Sequence, residues 1–244
     1  MVLKYYMPSA ESVRLDKLLS NLGYCSRREV AELIRLGVIE VTGETKLTPD
    51  LKVNPAAVRV DGEALDPGEG IVIMMHKPRG YECSHAAGDE SVFALLPPRF
   101  AQRKPTLACV GRLDKDTTGL LLFTDDGDFV HRLTSPKHNV GKVYRVSLGR
   151  DLRGDEAAVF ASGTLMLADE TEPLKPAELA VVNPRQVLLT LYEGRFHQVK
   201  RMFGAVENHV AALHRESVGA LGLGDLPEGE WRYLTEADRA ACFG

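Results

Sequence analysis

The chain has 244 residues, is 44% hydrophobic and 26% charged, and carries a formal net charge of −4. That composition is enough for a real core spread over two domains, and it excludes disordered, collagen-like and coiled-coil classes. The apolar runs, such as Ile71–Met75 and Leu120–Phe123, are too short to cross a bilayer, Met1–Asp16 has no secretory pattern, and Cys25, Cys83, Cys109 and Cys242 form no C-x-x-C pair, so a reduced cytoplasmic chain without structural zinc is expected.

In chain order, Leu15, Leu18, Leu19 and Leu22 make the apolar stripe of a short helix that Gly23 stops. Ser26-Arg27-Arg28-Glu29 has the form of a capping box ahead of a second helix through Val30, Leu33 and Ile34, ended by Gly37. Val38–Val41 and Val58–Val60 read as strands, with turns at Thr42-Gly43-Glu44 and Asp61-Gly62. Arg14, Lys17, Arg27, Arg28 and Arg35 fall on the two helices, either as a solvated face balanced by Glu29 and Glu32 or as a phosphate-contacting surface. Pro67-Gly68-Glu69-Gly70 is a linker or turn. Beyond it, Ile71–His76, Leu120–Phe123, Val143–Leu148, Glu178–Val182 and Val187–Tyr192 read as strands, and Phe129–Leu133, Phe196–Phe203 and Glu207–His214 as helical. This is an α+β pattern with a sizeable sheet, not a regular βαβ alternation.

Charge is segregated along the chain. His131–Arg150 holds five Lys and Arg residues and no acid, whereas Asp151–Glu172 holds six acids against Arg153 alone. Such segregation can give a net-acidic protein one positive face for nucleic acid. No dinucleotide-binding, P-loop or nucleophile-elbow motif is present, and no His/Cys cluster has metal-ligand spacing; His209 and His214 are five apart, not four. The informative stretch is Gly111-Arg112-Leu113-Asp114-Lys115-Asp116-Thr117-Thr118-Gly119, which runs into the apolar segment Leu120–Phe123. An aspartate on a loop fixed by a buried strand is well placed for chemistry, although a turn aspartate paired with Arg112 or Lys115 would look the same.

The whole stretch resembles the signature of the RsuA/RluB/RluE/RluF family of ribosomal RNA pseudouridine synthases. Arg14-Leu15-Asp16-Lys17-Leu18-Leu19 through Val41-Thr42-Gly43 resembles an S4 (α-L type) RNA-binding domain, with Thr42 where Asn or Asp is usual. His76-Lys77-Pro78-Arg79-Gly80-Tyr81, Lys142-Val143-Tyr144-Arg145-Val146, Glu193–Phe203, Leu213–Glu216 and Pro227–Thr235 resemble later family segments, with His76 replacing an Asn. Within the family the likeness is greatest to the small-subunit branch.

The resemblance implies an extension over 1–10, an S4 domain over 11–66 and a catalytic domain over 67–240 with a mainly antiparallel mixed sheet flanked by helices. It implies isomerisation of a uridine in RNA without cofactor or metal, in 16S ribosomal RNA or a small-subunit assembly intermediate, by a monomer. By the same resemblance Asp114 is the catalytic aspartate, Lys200 its cationic partner with Arg195 as second choice, and Tyr144 the contact to uracil. Arg112 would fill the gap left by a flipped base. Arg112, Arg195, Arg14, Lys17, Arg27, Arg28 and Arg35 would contact RNA. Two other readings stay open: an enzyme acting on 23S ribosomal RNA, and a non-catalytic S4-type ribosome-assembly factor.

Overall fold

The structure is a computed structural model that describes residues 12–244; the N-terminal extension lies outside the described residues. In the first module β1 (Val13–Arg14) leads into α1 (Leu15–Leu22), followed by α2 (Val30–Arg35), β2 (Ile39–Val41), β3 (Lys52–Val53), β4 (Val58–Val60) and β5 (Glu63–Ala64). Leu15, Leu18, Leu19 and Leu22 are all buried, as their spacing requires, against Val30, Ile39, Val41, Val53 and Val58. β2, β4 and β5 form a small antiparallel sheet, and β1 pairs with β3.

Two local expectations change. Glu29 accepts from the Ser26 N–H at 2.6 Å, which is half of the capping box; the Ser26 side chain caps no helix N–H, and Arg27 and Arg28 lie in a turn before α2, not on it. In the Val41–Glu44 turn the Glu44 N–H donates to the Val41 carbonyl at 3.1 Å. Gly43 takes a φ of 87° and Thr42 stays out of the left-handed region. One glycine therefore suffices, as in a type II turn, and Thr42 meets no conflict.

The two modules are joined tightly. Gly23 closes α1 in the left-handed region at φ 83°, and a Cβ there would sit 2.0 Å from the Arg99 carbonyl oxygen. Arg99 pairs with Asp66 at 2.5 Å, the Asp66 N–H donates to the Tyr24 hydroxyl, and the Lys104 N–H donates to the Asn21 carbonyl. The Pro67–Gly70 stretch is likewise tied down: Arg103 donates to the Pro67 and Gly68 carbonyls and the Gly70 N–H donates to Asp125.

The second module is built on β6 (Val72–Lys77), β7 (Ala108–Val110), β8 (Thr118–Thr124), β9 (Lys142–Leu148), β10 (Glu178–Asn183), β11 (Gln186–Leu191), β12 (Val210–Val218), β13 (Leu221–Gly222) and β14 (Trp231–Tyr233). The path of the nine-stranded sheet is β10-β11-β9-β12-β8-β6-β14, with β7 on β8 and β13 on β12. All pairings are antiparallel except β12 with β8. Helices α3 (Gly127–Thr134), α4 (Glu156–Ala161), α5 (Gln198–Ala205) and α6 (Glu236–Ala241) flank it. One core cluster runs from Ile71 and Phe123 to Tyr144, Leu189 and Phe203; another joins Met74, Leu122, Phe129 and Val218.

The segment read as a helix over Glu207–His214 is a correction. Glu207 turns at φ 60°, Asn208 ties that turn to the backbone of Arg150 and His209, and Val210 begins β12. Burial at Leu213 and again at Arg215 follows the period of a strand, and pairing with β9 on one side and β8 on the other overrides the local preference of an alanine-containing segment. The helix read over Phe196–Phe203 begins at Gln198, which leaves Phe196 and His197 in the preceding loop.

The parallel β8–β12 contact depends on Gly119. Its φ is 111°, and a Cβ would lie 2.3 Å from the Arg215 carbonyl oxygen and 2.6 Å from its nitrogen. Both obstacles are backbone in the middle of the sheet. Gly119→Ala should therefore lower the unfolding free energy by roughly 3 kcal/mol or more. Urea denaturation checks this; an unchanged midpoint would contradict the close approach.

Candidate active site

The loop from Gly111 to Thr117 connects β7 to β8 and is held from beneath by a buried cation. Lys77, at the end of β6, is fully buried, and its ammonium donates to the carbonyls of Thr117 at 2.7 Å, Pro78 at 3.0 Å and Lys115 at 3.3 Å. Burial pushes its pKa down against nearby acidic groups that favour the charge, Cys83 first among them and Asp116 and Asp114 next. The Gly80 N–H donates to the Lys115 carbonyl and the Thr117 N–H to the Asp114 carbonyl. On the other side the Leu113 N–H donates to Cys83 Sγ at 3.4 Å. Cys83 and Cys109, 26 positions apart in sequence, are neighbours here. A hydrogen bond from the Cys109 thiol outweighs burial and holds the Cys83 thiol below its ordinary range, with help from Leu113, Lys77 and Arg215.

Asp114 stands on this loop within reach of two side chains from the start of α5 and the residue before it, Lys200 and His197. Its Oδ2 is 3.0 Å from Lys200 Nζ, and its Oδ1 is 3.5 Å from His197 Nε2. Lys200 also reaches Asp116 at 2.7 Å. Burial opposes the Lys200 charge, but hydrogen bonds to Asp116 and Asp114 outweigh it and raise its pKa. The same ammonium holds the Asp116 carboxyl below its usual range. Of the two candidate partners, Lys200 reaches Asp114, whereas Arg195 pairs with Glu170 and Glu193.

Asp114, Lys200, Tyr144 and Arg112 all line one open cavity of about 560 Å³. Tyr144, in β9 opposite Arg215 of β12, is buried in the core cluster and forms part of the cavity wall. The cavity is cationic below. Arg215 is buried and donates to the Leu120 carbonyl at 2.7 Å, and burial beside it pushes the Lys142 amine down to about 8. Arg112 is exposed at the cavity wall and makes no ion pair among the described residues.

The remaining sequence-based candidates separate. Arg195 lies on the cavity wall, but its guanidinium is spent inside the protein: Nε pairs with Glu193, Nη1 with Glu170 and the Glu172 carbonyl, and Nη2 donates to the Pro173 carbonyl. It braces the loop before α5 and is not an open RNA contact. In the first module Arg14 and Arg27 both pair with Asp16, at 3.0 and 3.3 Å, and Arg14 above all, over the effect of burial and with help from Arg27, holds that carboxyl down to about 2. Arg35 pairs with Glu32. Lys17 and Arg28 are exposed and form no ion pair among the described residues.

Two residues of the site have no role in the sequence reading. Lys77 was visible only as part of the Lys-Pro segment, and a lysine closing the apolar run Val72–Met75 was its one signal. His197 has no periodic or spacing signal at all; its left-handed φ of 48° turns it toward Asp114. Among the described residues no group of His, Cys, Asp or Glu side chains is placed to hold a metal ion, and no helix is long and apolar enough to cross a membrane.

Comparison with known proteins places these features in context. Residues 71–205 match the family model described as RNA pseudouridylate synthase, and residues 13–58 match the S4 domain. A ribosomal small subunit pseudouridine synthase A of Vibrio cholerae is 42% identical over 234 residues, covering 95% of this chain and 100% of that one. Its counterpart from Escherichia coli is 43% identical over 233 residues, covering 94% and 99%. A pseudouridylate synthase of known crystal structure has a TM-score of 0.65 and 37% identity, covering 95% of this chain and 100% of its own.

The Lys200 bridge makes a direct prediction. Asp116 owes its lowered pKa chiefly to the hydrogen bond from Lys200. Lys200→Met removes that bond, so the carboxylate loses its stabilisation and the Asp116 titration should move upward, toward the ordinary aspartate range. Carboxyl-carbon NMR titration reads it; an unmoved Asp116 midpoint would show that Lys200 does not make this contact in solution.

Proposed function

The chain belongs to the RNA pseudouridylate synthase family, and from that premise we propose that it converts one uridine of small-subunit (16S) ribosomal RNA to pseudouridine, acting as a monomer. The observation that carries this reading is Asp114 held at 3.0 Å by Lys200 in a cavity walled by Tyr144.

The reaction is an isomerisation. The bond from ribose C1′ to N1 of uracil breaks, the base turns, a bond from C1′ to C5 forms, and the C5 proton is exchanged for one on N1. Atoms and electrons balance without an added reagent. Asp114 serves as the nucleophile, which requires the ionised carboxylate. Lys200 stands 3.0 Å from that carboxylate, and Lys77 and the Leu113–Cys83 contact keep the loop in place so that the carboxylate does not have to be reoriented at the moment of reaction. Tyr144 offers a ring face and a hydroxyl to a base that must be held and then turned. A base inside a duplex has to leave its stack first, at a cost of a few kcal/mol. Arg112, exposed beside Asp114, takes the vacated place. Arg215 and Lys142 give the cavity a positive potential that suits a polyanion.

The S4 module adds affinity. Of the five basic residues singled out there, Lys17 and Arg28 form no ion pair among the described residues, and Arg14, Arg27 and Arg35 keep about half or more of their side-chain surface exposed while paired.

Mapping of pseudouridines in ribosomal RNA from cells with and without the gene tests the substrate. One position lost from 16S RNA is the expected result; a loss confined to 23S RNA would overturn the small-subunit assignment. Asp114→Asn should abolish turnover while RNA affinity stays within about twofold, because charge and nucleophilicity go but shape remains. Any turnover by the purified variant would remove Asp114 from the nucleophile's role.

Replacing Arg27 and Arg28 together by Ala should weaken RNA binding and reduce the slope of log K against log salt by about 1 to 2, since each phosphate contact releases counterions. Single-turnover conversion at saturating RNA should be unchanged. Identical slopes in wild type and double variant would mean that Arg27 serves only its pairing with the buried Asp16 and Arg28 only a solvated surface.

A further inference from the structure

Phe196 is the most exposed large apolar side chain of the described residues, at 72%, and it sits on the wall of the Asp114 cavity. A lone exposed phenylalanine needs no explanation by itself. This one is held out by its surroundings. The loop that carries it, Glu193 to His197, is among the most heavily braced segments of the protein. Arg195 fixes it to Glu193, Glu170 and the Glu172 and Pro173 carbonyls. The Gln198 side chain accepts from the Arg195 N–H at 2.9 Å and donates to Glu193 at 3.1 Å. Arg201 donates to the Phe196 carbonyl at 3.2 Å and to Glu170. Flexibility therefore does not account for the exposure.

The ring is also oriented. It stacks on the His197 imidazole with centroids 3.8 Å apart and planes within 20°, and that imidazole in turn stands 3.5 Å from the Asp114 carboxylate. His197 adopts a left-handed φ of 48° in making this arrangement, a conformation uncommon for a residue other than glycine. Carboxylate, imidazole and phenyl ring thus form a series leading from the reacting position out toward solvent. Among the described residues the phenyl ring stacks on His197 alone and leaves most of its surface to solvent. A flat, rigid, apolar face beside a cavity with a cationic floor suits a planar group borne on a polyanion, which is a nucleobase.

We propose that Phe196 is a stacking platform for the nucleobase immediately next to the target uridine. This rests on the reading of the cavity as the uridine site. Tyr144 and Asp114 occupy the cavity where the target base goes, so a base on Phe196 belongs to its neighbour along the strand. The stack holds that neighbour in place while the target leaves its own stack, and it replaces part of the stacking lost on flipping. Because every base has a π face, the contact contributes affinity and strand register with little sequence preference.

The test uses the full-length protein and a fluorescently labelled ribosomal RNA fragment carrying the uridine found by mapping, with affinity read by anisotropy. Phe196→Ala should weaken binding by roughly 5- to 150-fold, the range for loss of one base–aromatic stack. Phe196→Trp should restore it, and Phe196→Leu, apolar but without a π face, should not. An abasic site placed in turn on each side of the target should cost wild type the same factor at one position, and cost Phe196→Ala nothing further there. Affinity equal to wild type in Phe196→Leu, or abasic penalties undiminished at both positions in Phe196→Ala, would overturn the proposal. Thermal melting is the folding control, and an exposed ring predicts an unchanged Tm. The binding arms are read whether or not the RNA turns over. Failure of wild type to convert the fragment would therefore count against the substrate assignment, whereas conversion with binding indifferent to Phe196 counts against the platform alone.

Discussion

A buried ammonium holds the loop that carries Asp114. Lys77 has no exposed surface and, among the described residues, no carboxylate in direct contact; its partners there are three backbone carbonyls, two of them on the Gly111–Thr117 loop. Burying a charge is costly unless its hydrogen bonds are supplied, and here each bond supplied also fixes a piece of loop backbone. Loss of the lysine would remove this donor from the Thr117 and Pro78 carbonyls, leave the Lys115 carbonyl with the Gly80 N–H alone, and cut the loop's side-chain tie to β6. The carboxylate of Asp114 thereby inherits the rigidity of the sheet, although it sits on a connecting segment.

The same sheet brings the other groups to that carboxylate. β8 lies between β6 and β12, so the end of the Asp114 loop is set against Lys77 on one side and Arg215 on the other. β9, paired to β12, then places Tyr144 beside Arg215. Lys200 comes from α5, whose start is fixed by the Arg195 and Gln198 bonds to Glu193 and Glu170. Gly119 is the weak point of this plan, because its missing Cβ is what lets β8 approach β12. The candidate site and the core packing therefore share the same strands, and a change in register would move both.

Charge is used in two ways. The protein is acidic in sum, yet cations gather where a polyanion would lie: Arg112, Lys142, Lys200 and Arg215 line one cavity. Acidic residues are spent on holding arginines in place. Glu170, Glu193 and the nearby carbonyls take up Arg195, and Asp16 takes up Arg14 and Arg27. Net charge measures neither use. An arginine in a matching motif can stay exposed without an ion pair among the described residues, as Arg112 does, or become a brace, as Arg195 does; the difference is which acceptors the fold brings within reach.

Much of this was legible in the sequence because it is local. The leucine spacing of α1, the strands around Ile73, Leu121, Val146 and Leu189, the α+β class and the loop carrying Asp114 are written in residue periodicity and in one contiguous motif. The pairing of Asp114 with Lys200, 86 positions later, came from family resemblance and not from any spacing within the chain. Three features required the tertiary structure. Val210–Val218 is a strand because two neighbouring strands offer it hydrogen bonds, which its own alanines and histidines do not specify. Cys83 and Cys109 meet beneath Leu113 only because β7 returns alongside β8. Lys77 and His197 acquire their roles from partners remote in sequence, and a short-range pattern contains no information about what lies across a sheet. Local periodicity determined which segments form elements; long-range hydrogen bonding and burial decided which of their polar side chains became a site.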